Sequence, residues 1–98
     1  MRGLNRVVLS GEVQDRIRFG QTPKGIECLS FWLTCDRSHV VHNTVLNVKV
    51  NAYGEEFVDV CRDKLEEGIY VLVEGELMER RFRGTLLTEV RANEIIFL

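Results

Sequence analysis

The sequence predicts a small all-β domain, a five-stranded barrel with one α-helix between strands 3 and 4. Three observations carry this. Apolar residues alternate with polar ones in five separate stretches, the period of strands with one buried face. The period changes once, where Phe57, Val58, Cys61 and Leu65 recur at three and four, the stripe of an amphipathic helix. Glycines fall on the buried side of the first and fourth strands, at Gly11 and Gly75. A glycine there marks a sharp bend or a close backbone approach, which a small closed barrel needs to coil its strands around the core.

The 98 residues form one domain, spanning 1–98, with room for a single core. A composition 45% hydrophobic and 29% charged is globular and not disordered. No run is long and apolar enough to span a membrane, and the N-terminus lacks a signal-peptide pattern, so a cytoplasmic protein with no membrane partner is expected. Cys28, Cys35 and Cys61 are odd in number and form no CxxC, which reads as reduced thiols in an intracellular protein. His39 and His42 flank no carboxylate or cysteine at metal-ligand spacing; surface loop histidines are expected, with no metal and no cofactor. No glycine-rich phosphate loop opens a helix, and no nucleophile stands with a base and an orienting group, so an enzyme is not expected. The paired acids Glu55-Glu56 and Glu66-Glu67 read as a solvated face.

Strand 1 runs from Asn5 to Val13, with Val7, Leu9 and Val13 inward and Arg6, Ser10 and Glu12 outward. Val8 places an apolar side chain outward, with Leu4 on the same side; such a face is either a mating surface or ordinary scatter. From Gln14 to Gly25, Arg16, Arg18 and Lys24 stand against one acid, Asp15, and Thr22-Pro23-Lys24-Gly25 signals a turn, which makes a basic hairpin loop. Strand 2, Ile26 to Cys35, turns Leu29, Phe31 and Leu33 inward and Cys28, Ser30, Trp32 and Thr34 outward. An outward tryptophan is a stacking platform, part of a subunit interface, or covered by a loop. The connection from Asp36 to Asn43 is polar and contains Arg37. Strand 3, Thr44 to Tyr53, turns Leu46, Val48, Val50 and Ala52 inward and Asn47, Lys49, Asn51 and Tyr53 outward; the outward set suits a ligand face and a solvated one equally.

The helix spans Glu55 to Leu65, with Gly68 as its stop. Glu55, Glu56 and Asp59 sit near its start, where the helix dipole favours anions. Glu55 to Glu67 holds six acids and two bases, a local charge of −4, while the whole chain is −2. The rest of the chain therefore sums to +2, and the barrel with its loops is mildly basic. Strand 4, Ile69 to Met78, turns Ile69, Val71, Val73, Gly75 and Leu77 inward, and strand 5 returns through Leu86 to Leu98. Between them, Glu79-Arg80-Arg81-Phe82-Arg83-Gly84 sets three arginines around one phenylalanine at a hairpin tip. Arginines neutralise phosphates and the ring offers a face on which any base can stack, the combination that single-stranded nucleic acid requires. In the plainer alternative, Phe82 tucks back onto the barrel and the arginines keep the hairpin soluble.

The order strand, strand, strand, helix, strand, strand is that of an oligonucleotide/oligosaccharide-binding (OB) fold, whose ligand surface lies on strands 2 and 3 and on the loops joining strands 1–2 and 4–5. Candidate binding residues are therefore Arg16, Arg18, Lys24, Trp32, Arg37, Lys49, Tyr53, Arg80, Arg81, Phe82 and Arg83.

The stretch Asn5-Arg6-Val7-Val8-Leu9-Ser10-Gly11-Glu12-Val13 resembles the opening strand of bacterial single-stranded-DNA-binding proteins, and still more that of the small primosomal replication protein N among their relatives. Thr22-Pro23-Lys24-Gly25-Ile26, Leu29-Ser30-Phe31-Trp32-Leu33, Gly68 to Leu77 with its Val-Glu-Gly segment, and Glu89 to Ile95 extend the likeness over nearly the whole chain. The resemblance implies an OB-fold that binds single-stranded DNA in replication, replication restart, repair or recombination. It also implies a homodimer, or a dimer of dimers, built partly by pairing first strands at Leu4, Arg6 and Val8, and contacts with replication or restart proteins. It places Phe82 where the family has an aromatic between strands 4 and 5, and Tyr53 where it has a phenylalanine before a glycine. The family's tryptophan near the start of strand 3 falls at Val45 to Asn47, and another falls near His39, where this chain has no aromatic; Trp32 is not at a family stacking position. The acidic tail of the larger members is not within these residues, as in the primosomal relative or in a piece of a longer chain. The competing function is an OB-fold protein-interaction subunit that has lost nucleic-acid binding. The net negative charge favours it and the arginine-rich hairpin opposes it.

Overall fold

Five strands close on one another in a ring, and a sixth hangs from its rim. The computed structural model describes residues 3–36 and 45–98. The elements are β1 (Val7–Val13), β2 (Arg18–Gln21), β3 (Glu27–Asp36), β4 (Val45–Tyr53), α1 (Glu55–Lys64), β5 (Tyr70–Phe82) and β6 (Thr85–Phe97). Hydrogen-bonded neighbours run β1-β5-β6-β4-β3-β2, and a further β1–β3 pairing, Glu12 opposite Thr34 and Val13 opposite Leu33, closes the ring. The β4–β6 contact is parallel, Val50 to Val90 and Asn51 to Arg91; the others are antiparallel.

The two glycines act as their positions require. A Cβ at Gly11 would overlap the carbonyl of Thr34, and one at Gly75 the carbonyl of Arg91. Backbone therefore lies against backbone where β1 meets β3 and where β5 bends over β6, and the β5–β6 register slips beside Gly75. Phe31, Leu29, Leu33, Val13, Val50, Val71, Val73 and Val90 fill the interior. Helix α1 adds Val58 and Cys61 to the same core. Its first turn carries Glu55 and Glu56 and its last Arg62 and Lys64, each sign at the end the dipole favours. The helix ends at Lys64 with Leu65 extended; Gly68, expected as the stop, instead takes a left-handed conformation in the turn before β5 and donates its N–H to Val13. The three cysteines are free thiols, and burial pushes those of Cys35 and Cys61 up.

Three further features of the strands differ from the expectation. The basic loop after β1 contains a strand, β2, paired with Glu27–Ser30 of β3. Its residues Arg-Phe-Gly-Gln are all exposed, so no alternation of apolar and polar residues announces it. The tip after Met78 is a two-stranded arm and not a loop. Glu76–Phe82 pair with β6 but not with β1, and the arm ends in a two-residue turn at Arg83 and Gly84. Leu46 and Leu77, expected inward, are exposed, because both lie where their strands run past the closed part of the ring.

Both turn residues have positive φ, Arg83 at 51° and Gly84 at 80°, the mirror-image turn that suits the twist of a hairpin. A side chain with a Cβ is strained at such an angle by about 1 kcal/mol, and asparagine tolerates it best. Arg83→Asn is expected to raise stability by up to about 1 kcal/mol, read as a higher midpoint in thermal unfolding. An unchanged or lower midpoint would mean that the arginine makes a compensating contact.

Candidate nucleic-acid interface

The arm and the outer faces of β3 and β4 form one concave surface. In β3 and β4, Trp32 stands opposite Lys49, Ser30 opposite Asn51 and Cys28 opposite Tyr53. Thr34 donates its hydroxyl hydrogen to Asn47 at 2.8 Å. Trp32 keeps 38% of its surface exposed and Phe82, at the arm's end, 50%. Between them lies a groove of about 730 Å³ whose walls include Trp32, Leu46, Lys49, Leu77, Arg80 and Phe82. The displaced Leu46 and Leu77 thus give this groove an apolar floor.

A second groove, of about 610 Å³, is lined by Pro23, Lys24, Ile26, Tyr53, Met78 and Arg91. The Arg91 guanidinium lies 5.2 Å from the centre of the Tyr53 ring. Arg18, on β2, lines a smaller recess that Tyr53 and Asn51 share. Arg16 has positive φ, is exposed, and lines none of these grooves.

A polar knot lines the first groove, with Arg80 and Glu89 both on its wall. Glu89 accepts from Arg80 twice, from Nη2 at 2.7 Å and from Nε at 3.3 Å. It also accepts from Asn51 Nδ2 at 2.9 Å. The Glu89 side chain is 4% exposed, and Asn51, expected outward on a ligand or a solvated face, is 8% exposed because the knot covers it. Burial pushes the Glu89 carboxyl up. The hydrogen bonds from Arg80 and Asn51, with the charges of Lys49 and Arg80, outweigh that and hold it below the usual carboxylate range. The hydrogen bond to Glu89 in turn raises the Arg80 guanidinium further into its charged form.

The knot sorts the arm's arginines. Arg80 and Phe82 lie on one face of the ribbon by alternation, with Arg80 5.6 Å from the ring centre, and Arg81 lies on the other. Arg83 approaches the ring to 5.1 Å. Arg37 lies outside the described residues, as do His39 and His42. Sequence reasoning missed Arg91 and the Asn51–Glu89 pair. Arg91 could have been found, because Val90 and Ala92 flank it inward on β6. Glu89 reads as an ordinary outward acid and gives no signal.

The candidate mating strand presents Leu4 and Val8 to solvent, while Arg6 pairs with Glu74 at 2.7 Å. Asn5 exchanges two side-chain hydrogen bonds with the Leu77 backbone, both 2.8 Å, and so prolongs the β1–β5 ladder. Residues Val7–Gly11 pair with β5 on one edge and with no strand on the other among the described residues. Val8, Tyr70 and Ile96 are exposed apolar residues on β1, β5 and β6.

Residues 4–98 match the Single-strand binding protein family. The chain is 32% identical over 109 residues to single-stranded DNA-binding protein 2 of Chlorobaculum tepidum, across 100% of this chain and 73% of that protein. Among solved structures it is similar to the Plasmodium falciparum SSB in complex with ssDNA. The TM-score is 0.85 and the identity 22%, over 100% of this chain and 97% of that one. This chain belongs to the single-strand binding protein family, and its ring of five strands with one helix is an OB-fold.

Proposed function

We propose that this protein is a non-catalytic, largely sequence-independent binder of single-stranded DNA, acting in replication, replication restart, repair or recombination. The observation that carries the reading is the groove between Trp32 and Phe82, with Lys49 in its wall and Arg83 beside the Phe82 ring. Exposed rings offer stacking to any base, and cations beside them take the phosphates. Tyr53, Arg91, Lys24 and Arg18 continue the track past the knot, and Arg81 stands on the arm's second face. Family membership points the same way, as does the DNA-binding name of the Chlorobaculum tepidum relative. The particular likeness to the primosomal relative rests on the Asn5–Val13 stretch.

The protein acts as a homodimer or a dimer of dimers. The free edge of β1, with Leu4, Arg6 and Val8, supplies strand pairing, and the apolar outer face with Tyr70 and Ile96 supplies a second contact. Such a protein works beside the genome in the cytoplasm, with replication or restart proteins as neighbours. No helix among the described residues is long and apolar enough to cross a membrane.

The test is fluorescence anisotropy of a labelled oligo-dT of about 30 nucleotides, longer than any single site of the 4–16 nucleotides an OB-fold covers. Saturable binding that weakens with salt, absent with the matching duplex, is expected. A folded protein that binds no oligonucleotide at low salt would make the fold an interaction subunit instead.

A further inference from the structure

An acid buried in the middle of a surface that faces a polyanion needs a reason. Glu89 is nearly solvent-free, accepts two hydrogen bonds from Arg80 and one from Asn51, and lines the Trp32–Phe82 groove. Stability alone does not explain it. Glu89 must leave water to form the pair, which offsets much of the attraction, while the Arg80 side chain keeps 37% of its surface exposed. The pair does have an electrostatic consequence for a ligand. Arg80 lines the Trp32–Phe82 groove, yet its charge is opposed at 2.7 Å by a carboxylate lining the same groove. A phosphate arriving there meets a pair that is neutral overall.

We propose that Glu89 is a positioning residue that limits affinity: it fixes Arg80 beside Phe82 while withholding the Arg80 charge from the DNA backbone. The inference rests on the single-stranded-DNA reading above and deepens it. The hydrogen bonds from Arg80 and Asn51 join β5, β6 and β4 at the root of the arm, so the guanidinium is held in one place. The ring 5.6 Å away is steadied by that fixed neighbour. Counterion release is then left to the other cations of the track, Arg18, Lys24, Lys49, Arg81, Arg83 and Arg91, and the strand is held less tightly than the number of arginines implies.

The experiment compares salt dependence of oligo-dT binding for the wild type, Glu89→Gln and the double variant Arg80→Gln/Glu89→Gln, each checked for folding by thermal melt. In Glu89→Gln one side-chain oxygen becomes an amide that cannot accept from Arg80 or Asn51, and the negative charge is gone. The slope of log affinity against log salt is expected to steepen by about 0.7, the value for one added phosphate contact on a single strand. If the two lines meet at 1 M salt, that is about eightfold tighter binding at 50 mM. The double variant removes both charges and strands neither, so its slope should equal the wild type's. A slope in Glu89→Gln equal to or shallower than the wild type's overturns the proposal. So does a double variant shallower by about 0.7, which would mean that Arg80 already holds a phosphate. Should Glu89→Gln not fold, the double variant decides alone. A wild type that does not bind oligo-dT defeats the functional reading itself, a result distinct from either slope.

Discussion

Gly75→Ala is expected to lower stability by about 3 kcal/mol, the top of the range for a core that must yield to one added carbon. For a domain of this size that is a fall in the thermal midpoint of roughly 15 °C. The added Cβ would overlap the Arg91 carbonyl and crowd the Ala92 Cα, both backbone atoms that no side-chain rotation can move aside. Relief requires β5 to lift from β6 next to the register slip at Glu74/Gly75. Gly75 is also paired with Val7 of β1, so lifting there strains the ring closure. Gly20→Ala is the matched control. Nothing lies within 4 Å of a Cβ at that position, and its φ is not left-handed. That change should stay within about 0.5 kcal/mol, as surface substitutions do. Equal midpoints for the two variants would refute the close approach. A Gly75→Ala protein that still folds should also bind oligonucleotide less well, because Arg91 and the arm's root move with the strand.

The glycine result shows which part of the fold the chain announces. Gly11 and Gly75 interrupt alternating apolar positions on the buried side, and a missing side chain there has one economical explanation, backbone against backbone. The five ring strands and α1 are legible for a related reason: each must bury one face, and burial stamps a period of two or of three and four on the residues. β2 has no such constraint. Arg18, Phe19, Gly20 and Gln21 are exposed, and the strand exists because β3 offers it a hydrogen-bonding edge. The outer part of the arm, read as a hairpin tip, is hidden for a similar reason, since Glu79–Phe82 lie beyond β1 and only their pairing with β6 makes them a strand.

The candidate site is legible as residue types and not as contacts. Three arginines around Phe82 mark the arm, and the outward parity of Trp32, Lys49 and Tyr53 follows from the strand period. What the parity does not give is the partner each side chain takes. Arg80 and Arg81 are neighbours of identical chemistry. One is held by a buried carboxylate nine residues away, and the other stands on the opposite face of the ribbon. Asn51, whose outward parity suits a ligand face or a solvated one equally, is instead, with Glu89, one of the two buried polar residues among those described. Both outcomes depend on Glu89, which meets Arg80 across the β5–β6 hairpin, where it faces Met78, and meets Asn51 because β4 and β6 run parallel at Val50–Val90 and Asn51–Arg91. A long-range parallel pair leaves no local trace.

Phe82→Ala is expected to cost binding about 1–3 kcal/mol, the loss of one base stacked on an aromatic ring, and so to raise the dissociation constant about 5- to 150-fold. The ring is half exposed at the end of a two-stranded arm and contributes little to the core, so the thermal midpoint should hardly move. Removing it deprives Arg80 and Arg83 of an aromatic neighbour but removes no charge. The line of log affinity against log salt should therefore drop without changing slope, and it should drop alike for pyrimidine and mixed-sequence strands, since every base has a face to stack. Glu89→Gln changes the slope, so the two variants separate the stacking part of the interaction from the ionic part within one groove. Unchanged affinity in a folded Phe82→Ala protein would assign the ring to a protein contact and leave Trp32, opposite Lys49, as the groove's stacking platform. A loss of slope along with affinity would mean that the ring acts by positioning Arg83 on a phosphate and not by stacking on a base.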